Sequence, residues 1–147
     1  MGQLNISRDL QMKLMHISRS HYPQESCAAL FGRKDSSDDD TYYAEAVVEL
    51  HNVIHSSVEF QIDEMELFHQ CIAYDKKKLL LIGIFHSHPD DAYVSTYDRV
   101  TIQHIGKLYP YLVWVIFGNQ TVQMKAYILQ KKTQVKEIPI IFSDKTT

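Results

Sequence analysis

Residues 79–85, Leu-Leu-Leu-Ile-Gly-Ile-Phe, form the most apolar run of the chain, and the run stops abruptly at His86-Ser87-His88-Pro89. An unbroken apolar stretch of this length suits a strand buried on both faces, because a strand with one wet face alternates instead. Side chains two apart on an extended chain project from the same face, so His86 and His88 point the same way. Pro89 stops the strand there, which puts both imidazoles at the rim of the sheet, where solvent and a substrate can approach.

The flanking sequence supplies the other layers. Apolar residues recur with helical spacing at Ile6, Leu10, Leu14 and Ile17, Ser7 stands as N-cap and Pro23 as stop, so residues 6–22 read as a helix. Residues 26–33, closed by Gly32, and residues 41–50 read as strands, with the polar, Asp-rich patch 34–40 as a hairpin loop. Residues 58–62 alternate like a short strand before Asp63 caps a second helix, whose Met65, Phe68 and Ile72 share one face up to the lysines at 76–78. Beyond the loop 90–94, residues 96–109 regain helical spacing at Val100, His104 or Ile105, and Leu108, and 111–117 is a β-branched and aromatic strand. Gly118-Asn119 makes a turn, residues 121–129 and 135–142 finish the sheet, and Pro139 marks the last strand as an edge. The order α-β-β-(β)-α-β-α-β-β-β predicts an α/β fold with a mixed sheet flanked by helices. At 147 residues and 45% apolar content, one domain over residues 1–147 is expected.

Charge and cysteine usage exclude several partners. A formal charge of −3 and a pI near 6.2 leave no basic surplus for phosphates, so neither nucleic acid nor an anionic membrane is the expected partner. No stretch approaches the roughly 20 apolar residues that cross a bilayer, and the first ten residues carry no signal-peptide pattern. Cys27 and Cys71 make no disulfide framework and read as reduced thiols of a cytoplasmic protein.

The chemistry concentrates around the histidine pair. Asp98 lies ten residues beyond His88, in the first turn of the following helix, close enough to fold back over the strand end. Two histidines and one carboxylate leave the fourth tetrahedral position open, the arrangement of catalytic rather than structural zinc. Plainer readings stand beside this one. Ser95-x-x-Asp98 also fits a capping box at a helix start. Cys27 invites a nucleophile reading, but a thiol within Cys-Ala-Ala-Leu-Phe is better read as strand packing. His86-x-His88-x-Asp90 matches the start of the metallo-β-lactamase motif, yet position 91 is Asp where that motif needs His.

Taken in order, Glu25, His86-Ser87-His88-Pro89 and Ser95-Thr96-Tyr97-Asp98 resemble the signature of the JAMM, or MPN+, zinc metalloproteases. Pro23-Gln24-Glu25-Ser26-Cys27 resembles the family's segment around its acidic residue, and Asn52 followed by Phe60-Gln61-Ile62-Asp63 resembles the stretch before its second helix. The similarity runs from about Pro23 to Gly118. It departs at one place: the interval from Pro89 to Ser95 is one residue shorter than the usual pattern, and Val94 stands where proline is often found. The resemblance implies a cytidine-deaminase-like sandwich with a curved mixed sheet, and one Zn2+ held by His86, His88 and Asp98. It also implies proton transfer by Glu25 and an oxyanion hydrogen bond from Ser95. The implied activity is hydrolysis of a peptide or isopeptide bond at the C-terminus of a ubiquitin-like or sulfur-carrier protein, with an E1-like enzyme as an implied partner in the same pathway. The chain lacks long insertions and so resembles the compact prokaryotic members. Two alternatives remain open at this point: a non-catalytic MPN-type scaffold, and a zinc amide hydrolase acting on small molecules.

Overall fold

The computed structural model describes residues 2–35, 40–131 and 133–144, so most of the polar patch read as a hairpin loop lies outside the described residues. Among the described residues, eleven elements follow in the order β1 (Gln3–Ser7), α1 (Arg8–His21), β2 (Cys27–Lys34), β3 (Thr41–Leu50), α2 (Glu64–Asp75), β4 (Leu80–His88), α3 (Thr96–Leu108), β5 (Val113–Gly118), β6 (Gln123–Gln130), β7 (Gln134–Ile138) and β8 (Ile140–Ser143). The expected α/β class with a mixed, curved sheet flanked by helices is what is found. No helix among the described residues is long and apolar enough to cross a membrane.

The strands form one sheet in the order β7-β6-β5-β4-β2-β3-β1-β8, with β4 parallel to β5 and antiparallel to β2. The two edge strands are consecutive in the chain, separated only by Pro139. For one residue to join opposite edges, the sheet must curl until they meet. There the Pro139 carbonyl accepts the Leu4 amide at 3.0 Å. Residues 135–142, read as one strand, are therefore two, and proline divides them because it cannot donate to a ladder.

Two apolar layers cover the sheet. On one face Leu14 and Ile17 of α1 pack with Leu30, Ile82, Phe85 and Val115. On the other, Ala29, Ile84, Trp114 and Ile116 meet Ile102 of α3 and the half-buried Leu67, Cys71 and Tyr74 of α2. The run read as doubly buried is so from its third residue: Leu81 to His88 are all buried, whereas Leu79 is half-buried and Leu80 exposed. Burial of each large side chain there contributes about 1.5–3 kcal/mol.

Three local expectations need correction. Ile6 belongs to β1, a strand hidden inside the helical stripe, and α1 begins only after Ser7, whose hydroxyl accepts the Leu10 amide at 3.2 Å. Residues 58–62 form no strand; Ile62 makes only an isolated bridge to Asn52. The stripe Met65, Phe68 and Ile72 is exposed, because α2 packs through Leu67, Cys71 and Tyr74, with Tyr74 stacked on Phe31. Asp63 does cap α2, accepting the Met65 and Glu66 amides.

One irregularity sets the direction of the histidines. Between β2 and β4, Leu30 pairs with Gly83 but Phe31 with Leu81, so Ile82 is an extra residue on β4. This bulge reverses the alternation: Leu81 and Ile84 share a face although three residues apart. His86 pairs with Cys27 and therefore projects, with His88, toward the face covered by α2 and α3.

Candidate metal centre

Glu25, His86, His88 and Asp98 are 3%, 0%, 2% and 1% exposed, and one ligand atom from each lies within 4.8 Å of the others. The two imidazole Nε2 atoms stand 3.2 Å apart. Asp98 spans both rings, with Oδ2 2.8 Å from His88 Nε2 and Oδ1 3.0 Å from His86 Nε2. Glu25 Oε2 is 3.9 Å from His88 Nε2.

Each of these side chains is aimed by its element. Glu25 sits two residues before Cys27, the first residue of β2, so it faces the same side as the histidines. Asp98 is the third residue of α3, and the helix start lays it over the end of β4. Ser26 and Ser87, buried between the two strands, lock them together: their hydroxyls are 2.9 Å apart, and each residue's amide donates to the other, to Ser87 Oγ and to the Ser26 carbonyl. Beyond β4, the Asn119 amide and side chain both donate to the His88 carbonyl at 3.0 Å. Gly118 has to be glycine there, since a Cβ would come within 2.7 Å of the Asp91 backbone.

Burial shapes the charges. Removed from water, and countered only in part by His88, the Glu25 carboxyl is pushed up to about 8. A divalent cation alongside would pull it down again. Burial lowers His86, whereas for His88 burial is outweighed by the Asp98 carboxylate together with Glu25 and Asp90, which raise it. Burial also works against the Asp98 charge, but hydrogen bonding to the two rings holds its carboxyl far below the usual range.

The donor set fits a metal ion. Glu25 Oε1, His86 Nδ1 and Asp98 Oδ1 are buried without a hydrogen bond, although Asp98 Oδ1 lies close to a ring nitrogen. Buried polar atoms normally find partners. Ligands at about 2.0–2.2 Å from a tetrahedral ion stand roughly 3.3–3.6 Å apart, close to and slightly wider than the spacings found here.

Of the five residues singled out from sequence, four converge in this way. Ser95 joins them through Asp98 in a complete capping box, its hydroxyl accepting the Asp98 amide at 3.1 Å and its own amide donating to Asp98 Oδ2 at 3.1 Å. The cap and the ligand geometry, read as only partly compatible uses of Asp98, are both present: Oδ2 accepts the Ser95 amide and also faces His88, while Oδ1, outside the cap, faces His86. Asp90 stays outside the cluster, 4.0 Å from the far ring nitrogen of His88 and half exposed, so the β-lactamase-like reading fails. Ser26, Phe60 and Asn119 gave no sequence signal of their part here; Phe60 stacks on His86 with centroids 4.2 Å apart.

Cys27 is strand packing. Burial pushes its thiol up to about 12, and Sγ points to the Leu50 carbonyl at 3.6 Å. In the folded protein at pH 8, Cys71, only half buried, is therefore expected to react with a thiol reagent while Cys27 labels only after unfolding. Mass spectrometry of labelled peptides checks this, and rapid native labelling of Cys27 would refute it.

The family described as prokaryotic homologs of the JAB domain matches residues 7–130. The chain is 27% identical over 117 residues to a protein of Pyrococcus furiosus named desampylase, covering 80% of this chain and 75% of that relative. It also superposes on the solution structure of a protein from Desulfitobacterium hafniense with a TM-score of 0.78 at 24% identity, covering 99% of this chain and 94% of the other.

Proposed function

Because the chain belongs to the prokaryotic homologs of the JAB domain, we propose that it is a zinc-dependent hydrolase cleaving a peptide or isopeptide bond at the C-terminus of a ubiquitin-like or sulfur-carrier protein. The observation that carries the reading is the buried convergence of two imidazoles and a carboxylate beside a second, separate carboxylate. The relative named desampylase supports an isopeptidase-like activity on a ubiquitin-like modifier.

His86 Nε2, His88 Nε2 and Asp98 would hold the ion, which when bound supplies carbonyl polarisation and acidifies a water. Glu25 accepts the proton of the attacking water and returns it to the departing amine. Burial raises its carboxyl and a bound cation would lower it, two opposed effects that suit both directions of transfer. Asp98 lies against Nε2 of both rings, so a bound ion would take the place of the protons that these nitrogens share with the carboxylate. Ser95 Oγ accepts from the Asp98 amide and keeps its own proton to donate to the oxyanion formed as water adds. An E1-like enzyme that charges the same carrier is the expected pathway neighbour.

The test compares a full ubiquitin-like fusion, a short peptide spanning the same bond, and a free amino-acid amide, each before and after chelation and with zinc restored. Cleavage of the fusion, lost on chelation and regained with zinc, is the expected result. Equal turnover of the small amide would favour the small-molecule hydrolase, and zinc-free protein with no turnover would favour the scaffold.

A further inference from the structure

Asn52 takes no part in the chemistry above, yet it is buried and every polar valence of its carboxamide is used. Nδ2 donates to the carbonyls of Glu25 and Glu59, at 3.0 and 3.2 Å. Oδ1 accepts the amides of Gln61 and Ile54, at 3.0 and 3.4 Å. All four partners are backbone groups, and Asn52 also bridges Ile62, so the segment 52–62 closes on this one side chain. No other side chain of this length offers two donors and an acceptor at one end.

The closed loop touches the metal centre twice. The Ser56 carbonyl accepts the Glu25 amide at 2.7 Å, so with the Asn52 bond both backbone polar groups of Glu25 are held by this loop. Phe60, carried between Glu59 and Gln61, lies nearly parallel to the His86 ring at 21°. Glu25 Oε1 and His86 Nδ1 have no hydrogen bond of their own, so beside the Asp98 contact at His86 Nε2, backbone anchoring and the Phe60 ring are what hold these two side chains from the loop side. Resting on the hydrolase reading, we propose that Asn52 is a positioning residue for the centre, setting the proton-transfer carboxylate and the plane of one ligand ring together through loop 52–62.

The test uses the full chain with Asn52→Asp, Asn52→Ala and a control, Leu14→Ala, which loosens the opposite apolar layer. Asn52→Asp keeps both accepting bonds and so the loop, but turns a carboxylate oxygen on the Glu25 and Glu59 carbonyls. Zinc-loaded Asn52→Asp is expected to lose about 10–100-fold in kcat on a short peptide with KM little changed, and Asn52→Ala a similar factor in zinc affinity against a competing chelator. The visible spectrum of the cobalt-substituted variants should shift as His86 turns, while Leu14→Ala, at comparable loss of Tm, keeps the parent's kcat, affinity and spectrum. Parental kcat, affinity and spectrum in both Asn52 variants would overturn the proposal, as would equal losses in the control. If the parent cleaves nothing, the hydrolase reading fails, and the chelator titration and cobalt spectrum still decide whether Asn52 positions the centre.

Discussion

Glu25→Gln is expected to abolish hydrolysis with zinc still bound, and to make the metal-free protein more stable at alkaline pH. The first effect follows from the chemistry: an amide can neither take a proton from water nor return one to an amine, and removing such a group costs about 10²–10⁴-fold in turnover. Zinc should stay, since the three atoms that would hold it belong to His86, His88 and Asp98. The second effect follows from burial. The folded-state value near 8 lies above the ordinary 4.5, so the fold prefers the neutral acid. For an acid raised in this way, the contribution to stability is full below about 4.5, is lost as pH climbs to about 8, and stays lost above that. Glutamine is neutral throughout and escapes the loss, a difference on the order of 1–3 kcal/mol once solvent relaxation is allowed for. Thermal melts of chelator-treated parent and variant at pH 5 and pH 9 measure it. A gap in Tm that fails to widen with pH removes the electrostatic argument, and loss of zinc from the variant removes the assignment of Glu25 as a bystander to the ion.

How much of this was legible in the sequence depended on whether the signal was local. The β4 run, the Ser7, Asp63 and Ser95 caps and the chain stop at Pro89 depend on neighbours in the chain, and the structure has each of them. β1 was hidden because Ile6 fits a helical stripe as well as a strand; its pairing with β3 and β8 is made by residues more than thirty positions away. The outward face of α2 was misassigned for a similar reason. Met65, Phe68 and Ile72 form a sound stripe, but Leu67, Cys71 and Tyr74 form another, and only the position of Phe31 decides which is buried. At the site, spacing singled out His86, His88 and Asp98, and the family resemblance added Glu25; the structure brings the four together. What holds them does not show in spacing: Ser26 against Ser87 and Asn52 against Glu25 are pairings between distant segments, visible only once β2 lies beside β4.

Asp98→Asn and Asp98→Ala are expected to fail alike as metal sites and to differ as folded proteins. Asp98 does two jobs in one side chain, closing the capping box of α3 with Ser95 and pairing the ring nitrogens of His86 and His88. Asparagine still offers an oxygen to the Ser95 amide, so the cap largely survives, but the charge that draws a cation is gone. Alanine removes both, leaving the Ser95 amide and two buried imidazoles without their acceptor, at about 1–3 kcal/mol for each orphaned buried group. Without metal the order of Tm should therefore be parent, asparagine, alanine. The gap between parent and asparagine should also close in acid. A carboxylate held below its ordinary 3.8 contributes stability above that value and loses it as pH falls toward the depressed one. Added zinc then separates ligand from cap. At about a hundredfold excess over the dissociation constant it stabilises a binding-competent chain by about 2.7 kcal/mol, a shift the parent should show and both variants should lack. An alanine variant that keeps the zinc-induced rise would mean that the carboxylate serves α3 alone, and the ion would then have to be held by the two imidazoles with Glu25, leaving no separate acid to carry the proton.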